Sequence, residues 1–288
     1  MKTKLQSFAK INLGLRILGK REDGYHNLET IFYPVKLHDD IYIHIEPSDK
    51  NLNTVILKSN KSFIPLNKDN LCYKAVEKFF IYFRIKEFYK IEIELIKNIP
   101  VGGGLGGGSS NAASVLRHLI RYFNLNIENN REKLMELALS LGSDVPFFLV
   151  MKPCYATGRG EKIKILKSFL IKDLILIVNP NLHISTKWAF EKLKLPSEPI
   201  SKPVLNTVDS FNQKNIGVFI NDFESIVFPK YEILKKIKDE LYASGCSLAS
   251  LSGSGATMYA IYENKQRKEM LKMFDYYKEQ KYFTYISD

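Results

Sequence analysis

The densest chemistry in the chain lies between Pro100 and Ala113, PVGGGLGGGSSNAA, where six of fourteen residues are glycine. Glycine reaches φ > 0 without a Cβ clash and lets backbone N–H groups come close to a ligand. Ser109, Ser110 and Asn111 follow at once and open a helical segment. The turn therefore ends on the unpaired N–H donors and the positive dipole end of a helix N-terminus. That combination holds phosphate oxygens. The backbone of Pro100, Gly102, Gly103, Gly104, Leu105, Gly106, Gly107 and Gly108 forms the cradle. The hydroxyls of Ser109 and Ser110 can reach a phosphate or a magnesium ion, and Asn111 is counted with them as an ATP-binding residue. A flexible linker is the competing reading, but linkers are seldom flanked by a strand on one side and a helix on the other.

The turn is not a Walker A loop, because no Lys-Ser or Lys-Thr follows the glycines. It does satisfy G-x-G-x-x-G through Gly102, Gly104 and Gly107. A dinucleotide-binding turn, however, places its first glycine directly after a strand and is followed by a second parallel strand ending in an acidic residue. Here Lys97-Asn98-Ile99-Pro100 intervenes, and NLNIENNREKLMELALSLG beyond the helix reads as helical. A nicotinamide-dependent oxidoreductase is thus the weaker reading.

The elements that must carry this turn can be read from periodicity. Residues 11–18 and 41–46 alternate apolar and polar side chains, as half-buried strands do. Residues 70–83 read as a helix capped by Asn70, with Leu71, Ala75, Phe79 and Tyr82 on one face. A strand at 90–96 leads into the glycines, and a helix over 109–122 leaves them. Residues 153–160 read as a crossover with a strand pair beyond it, and 174–178 as a buried strand. A helix over 230–243 carries the stripe Leu234, Ile237 and Leu241 and stops at Gly245. A strand at 256–262, a helix at 266–279 and a strand at 281–286 follow, making a β-α-β-α-β-like tail. Mixed runs of both kinds predict an α+β protein of two lobes: residues 1–155 bearing the phosphate turn, and residues 156–288.

Composition narrows the classes. Apolar residues make up 45% and charged residues 25% of 288, ordinary for a soluble globular chain. The longest apolar stretches, such as 145–151, fall well short of the ~20 residues that span a bilayer, and no signal-peptide core is visible. A cytoplasmic chain with no membrane partner is expected. The net charge of +11 comes from lysines scattered among Ile, Phe, Tyr and Asn, with no run of five like charges. We read them as solvated surface, with some help in collecting a phosphorylated ligand, and expect no nucleic-acid partner. Cys72, Cys154 and Cys246 lie far apart with no C-x-x-C pair, so free thiols are expected and neither a disulfide framework nor a structural zinc site.

The extended pattern Pro-x-x-x-Gly-Leu-Gly-Gly-Gly-Ser-Ser resembles the ATP-binding signature of the GHMP kinase superfamily. Further segments agree in order: AKINLGLRILGKREDGYHNLETIF from Ala9, GSDVPFFL from Gly142, NDFE from Asn221 and LSGSGAT from Leu251. The resemblance covers nearly the whole chain. It implies a ribosomal-protein-S5-like N-terminal lobe and a ferredoxin-like C-terminal lobe. It also implies ATP-dependent phosphorylation of an alcohol, with ATP and Mg2+ as cofactors. The segment containing Asp23-Gly24-Tyr25-His26 is similar to the branch acting on a cytidylyl sugar alcohol in isoprenoid precursor synthesis. Homoserine, mevalonate and galactose kinases are the nearest alternatives, and their substrates have no cytosine. A monomer or weak homodimer is expected.

The resemblance also implies roles. Asp144, before Val-Pro-Phe-Phe, is the base that takes the alcohol's proton, although the same residue could merely start a helix before Pro146. Lys10 is the ammonium that keeps that carboxylate ionised and steadies the attacking oxygen. Asn12, Tyr25, His26, Phe32, Thr186 and Phe190 bind substrate. His26 presents two ring nitrogens to a base edge, and Phe32 and Phe190 sandwich the cytosine. Ser252, Gly253 and Gly255 lie against the phosphate turn and the sugar alcohol. Asn70 and Lys97 border the adenine. Phosphate oxygens and water hold the magnesium, with Ser109 or Ser110 assisting. Lys187 and Trp188 depart from the family pattern, which weakens the assignments of Thr186 and Phe190.

Overall fold

Two long strands supply residues to both halves of the fold in a computed structural model, which describes residues 2–193, 204–208, 210–212 and 215–288. They are β1 (Thr3–Lys20) and β2 (His26–Pro47), which pair with each other. The chain divides into two compact units. The first comprises Met1–Ala9, Leu37–Ile99 and Gly106–Met151, and the second Lys10–Lys36, Pro100–Leu105 and Lys152–Asp288. The units interleave along the chain, because β1 and β2 are each long enough to serve both.

In the first unit the C-terminal half of β2 carries β4 (Tyr89–Ile96) antiparallel to it, from Asp40 opposite Ile96 to Pro47 opposite Tyr89. β3 (Thr54–Ser59) lies parallel to β4 on the other side. Ile41, Ile43 and Ile45 of β2 alternate with polar residues, as do Ile91, Ile93 and Leu95 of β4, and all six are buried. A parallel neighbour needs a crossover, and α1 (Leu71–Phe83) provides it. Asn70 Oδ1 accepts the N–H of Cys72 at 2.9 Å and caps that helix as expected. Cys72, Ala75, Val76, Phe79 and Phe80 form its buried face. Phe79 packs on Phe83 and Phe123, and its burial stabilises the unit by roughly 2 kcal/mol. α2 (Gly107–Tyr122) is buried continuously from Ser110 to Leu116, while α3 (Arg131–Leu141) and the short α4 (Val145–Val150) complete the helical layer.

In the second unit the N-terminal half of β2 pairs with β5 (Cys154–Gly158), Leu28 opposite Gly158 and Phe32 opposite Cys154, and β6 (Lys162–Ile165) pairs with β5. The stretch expected as a crossover is therefore itself a strand. Its buried Cys154, Ala156 and Gly158 alternate with half-buried Tyr155 and Thr157, a period hidden by the flanking Pro153 and Gly160. Next come β7 (Leu174–Asn179), α5 (Thr186–Lys192), α6 (Glu224–Lys230), α7 (Glu232–Ala243), β8 (Leu248–Leu251), β9 (Met258–Tyr262), α8 (Arg267–Glu279) and β10 (Phe283–Ser287). The sheet order is β10-β7-β9-β8, antiparallel throughout. From β7, with α7, to β10 this is βαββαβ, the ferredoxin-like arrangement. Within that arrangement β8 is the element that the sequence did not reveal, since all four of its residues are buried and nothing alternates. Leu176, Val178, Leu234, Ile237, Leu241, Met258, Ala260 and Met270 fill the core between sheet and helices. Among the described residues no helix is long and apolar enough to cross a membrane, and the three cysteines are buried free thiols.

Candidate active site

In the first unit the glycine turn ends as the N-terminus of α2. Gly106 takes the N-cap position at φ 72°, a left-handed conformation that favours glycine, and no side chain caps the helix. The first helical bond runs from Ser110 N to Gly106 O at 2.9 Å. The N–H groups of Gly107, Gly108 and Ser109 precede it, the arrangement that receives an anion. Gly108 is exposed and Ser109 half-buried. A Cβ placed on Gly142 would lie 3.9 Å from Ser109 Oγ, so the turn running from Gly142 to Asp144 packs beside this hydroxyl. Asp144 stands at the N-cap position of α4, yet its side chain makes no capping bond.

The next two residues of α2 point inward. Ser110 Oγ donates to Phe8 O at 2.6 Å and accepts from Ser7 Oγ at 2.8 Å. Asn111 Nδ2 donates to Ser7 Oγ at 3.0 Å and to Asp39 Oδ2 at 2.9 Å, while its Oδ1 accepts from Lys97 Nζ at 2.8 Å. Lys97 is 5% exposed and forms an ion pair with Asp39. These placements correct three expectations. The Lys97 ammonium faces the interior, Asn111 spends its amide on the same cluster, and the Ser110 hydroxyl is buried between Ser7 and Phe8. Asn70 is occupied likewise, capping α1 and donating from Nδ2 to Pro65 O at 2.8 Å.

In the second unit the earlier part of the turn docks on the segment Ser252–Thr257. Gly103 O accepts the N–H of Thr257 at 3.2 Å. Gly104 O accepts from Ser252 Oγ at 3.0 Å and from Lys10 Nζ at 2.9 Å. Leu105 is buried, and its carbonyl accepts the Lys10 N–H at 3.1 Å. Lys10, 3% exposed, also reaches Asn12 Oδ1 at 2.5 Å, and Asn12 Nδ2 donates to Thr30 Oγ1 at 3.0 Å. Sequence reasoning missed how the NDFE segment works. Asn221 Nδ2 donates to Leu251 O (2.7 Å) and Gly253 O (2.9 Å), and Glu224 Oε1 accepts from Ser250 Oγ (2.8 Å) and Leu251 N (3.0 Å). Both residues brace the segment on which the turn rests.

The remaining candidate side chains, four rings and a threonine, lie in the same unit. His26 and Phe190 are stacked, with centroids 4.8 Å apart at 18°, and Phe190 meets Phe223 edge-on at 4.9 Å. Burial and then the Lys20 charge hold the His26 pKa below its ordinary value. The imidazole is therefore neutral near pH 7, with one donor and one acceptor nitrogen. Tyr25 is 51% exposed, and the Arg159 guanidinium lies 4.0 Å from its ring centroid. Phe32 departs from expectation: it is 3% exposed, with the Lys10 ammonium 5.4 Å from its centroid, so it has no open face for a cytosine. Thr186 begins α5 and shares a 3.0 Å hydrogen bond with Ser254. Among the described residues no group of three or more His, Cys, Asp and Glu side chains could hold a metal.

The family model for the GHMP kinases N terminal domain matches residues 70–152, and the model for the GHMP kinases C terminal region matches residues 208–275. The chain is 38% identical over 279 residues to a 4-diphosphocytidyl-2-C-methyl-D-erythritol kinase of Porphyromonas gingivalis, covering 93% of this chain and 94% of that one. It is 41% identical over 261 residues to the protein of the same description from Bacteroides thetaiotaomicron, covering 88% and 90%. A crystal structure of 4-(cytidine 5'-diphospho)-2C-methyl-D-erythritol kinase matches 99% of this chain and 98% of its own, with a TM-score of 0.77 at 26% identity. A homoserine kinase from Cytophaga hutchinsonii matches 100% and 95% with a TM-score of 0.67 at 16% identity, a likeness of fold.

Proposed function

The chain belongs to the GHMP kinases and, within them, to the family of 4-diphosphocytidyl-2-C-methyl-D-erythritol kinases, and from this we propose how its residues divide the work. The reaction moves the γ-phosphate of ATP to the 2-hydroxyl of a cytidylyl sugar alcohol, in isoprenoid precursor synthesis. Phosphoryl transfer asks a protein for positioning and charge stabilisation, plus a group to receive the alcohol's proton. The N–H groups of Gly107, Gly108 and Ser109 hold phosphate oxygens. Asp144 receives the proton from the 2-hydroxyl, and Lys10 offsets negative charge on the oxygens in transfer. One observation carries this division: Ser109, at the uncapped start of α2, packs beside the turn that ends in Asp144.

Magnesium, when bound with ATP, neutralises phosphate charge. The buried Ser110 leaves Ser109 as the protein hydroxyl that suits it, with phosphate oxygens and water as the other ligands. Asn12, Ser252, Gly253 and Gly255 lie toward the phosphate turn and the sugar alcohol. Family-model matches ending at 152 and resuming at 208 support a division into lobes near residue 155.

For the cytidylyl group we assign His26 and Phe190, with Tyr25 and Thr186 beside them. A neutral imidazole can pair with the donor–acceptor edge of cytosine, and the Phe190 ring can stack on it. Stacking on a base is worth ~1–3 kcal/mol. Phe190→Ala is therefore expected to raise KM for the cytidylyl substrate about tenfold or more, with Kd for ATP unchanged. An equal weakening of ATP would remove Phe190 from the cytidylyl site.

A coupled ADP-release assay tests the whole assignment with 4-diphosphocytidyl-2-C-methyl-D-erythritol, mevalonate and homoserine side by side. Turnover is expected with the first alone. Comparable turnover with either of the others would overturn the substrate.

A further inference from the structure

Asp39 has no part in the roles assigned above, yet its carboxylate is fully buried and both oxygens are engaged. Oδ1 accepts the backbone N–H groups of Asn98 at 2.7 Å and Ile99 at 2.8 Å, the two residues that leave β4 for the glycine turn. Oδ2 accepts Asn111 Nδ2 at 2.9 Å and takes the Lys97 ammonium in an ion pair. Asn111 sits on the second turn of α2. One carboxylate therefore ties the end of the strand before the turn to the helix after it.

The cluster also reaches the phosphate-facing end of that helix. A Cβ built on Gly107, the first residue of α2, would lie 3.3 Å from Lys97 Nζ and 3.1 Å from Ile99 Cγ2. The ammonium that Asp39 holds and the side chain of Ile99, whose backbone N–H it accepts, are thus both packed against the first residue of α2. A buried ion pair of this kind is weak evidence for stability, because desolvation offsets much of the attraction. What it can supply is a fixed direction. Phosphate oxygens are held only where several N–H groups converge, and a misplacement of about 1 Å can cost on the order of a hundredfold.

We propose that Asp39 is a positioning residue for ATP, acting through Lys97, Asn111 and the backbone at 98–99 to aim the N-terminal turn of α2 at the triphosphate. The inference rests on the assignment of that turn to phosphate.

The test compares Asp39→Asn, Asp39→Asn with Lys97→Met, and the unaltered enzyme. Titration calorimetry measures Kd for ATP with Mg2+, a thermal melt measures Tm, and steady-state kinetics measure KM for the cytidylyl substrate. In Asp39→Asn, Kd for ATP is expected to rise at least tenfold or so while KM for the cytidylyl substrate stays within about twofold. The single variant leaves a buried ammonium without its carboxylate and should melt lower. The double variant removes that charge and should regain Tm, but not the affinity for ATP, since the support under Gly107 is gone. Should Asp39 matter only for stability, the double variant would regain both. That result, or equal weakening of both substrates in either variant, overturns the proposal. An unaltered enzyme that binds no ATP would instead overturn the assignment of the turn.

Discussion

Asp144→Asn is expected to lower kcat by about three orders of magnitude, within the range for loss of a general base, while Kd for ATP stays at its starting value. The amide has nearly the shape of the carboxylate but cannot take the alcohol's proton. Pro146, rather than a side-chain cap from Asp144, sets the start of the short helix α4. With a Tm equal to that of the unaltered enzyme, a fall in activity is read as chemistry. Calorimetry with ATP and a single-turnover measurement of phosphoryl transfer separate binding from the chemical step. A kcat within tenfold or so of the unaltered enzyme would return Asp144 to the role of a turn residue and leave the alcohol without an assigned base.

What the sequence made legible follows from how each signal arises. The glycine turn, the Asn70 cap and the strand at 90–96 announce themselves locally, through φ freedom, side-chain capping and period-two alternation. The ferredoxin-like half was legible except for β8, where a fully buried Leu-Ala-Ser-Leu carries no alternation and runs straight into the next glycine-rich segment. Side-chain direction was harder to read. Ser109, Ser110 and Asn111 are neighbours in sequence, but each step along a helix turns the side chain by about 100°. Ser109 therefore stays half-buried at the turn, while Ser110 and Asn111 point into the protein. The carboxylate that receives Asn111 and Lys97, that of Asp39, is 72 and 58 residues away from them in the chain. No local spacing marks such a carboxylate, and a membership pattern built on the turn alone passes over it. Phe32 shows the same limit from the other side, since aromatic character says nothing of whether a ring face is open.

Gly104→Ala is expected to reduce ATP-dependent turnover by more than about a hundredfold and to lower Tm by several degrees, because the position tolerates no Cβ. The residue holds φ +78°, and an added Cβ would lie 2.0 Å from Ser252 O and 2.9 Å from Ser252 C. Both are backbone atoms, so no side chain can swing aside to make room. A left-handed conformation costs an L-residue a further ~1–2 kcal/mol. Relief requires Gly104 to move away from Ser252, which breaks the 3.0 Å bond from Ser252 Oγ and shifts the carbonyl that anchors Lys10 Nζ at 2.9 Å. The same displacement thus disturbs the phosphate turn and the ammonium assigned to stabilise transfer, two losses from one methyl group. Gly108→Ala is the control for stability. Its Cβ would meet only Leu71 Cδ1 at 3.9 Å, and no left-handed backbone opposes it, so its Tm should match that of the unaltered chain. Thermal melts of the two variants, with turnover measured well below either midpoint, distinguish a general loss of fold from a displaced turn. If Gly104→Ala kept both its Tm and its turnover, the contact between this turn and Ser252 would have no bearing on catalysis.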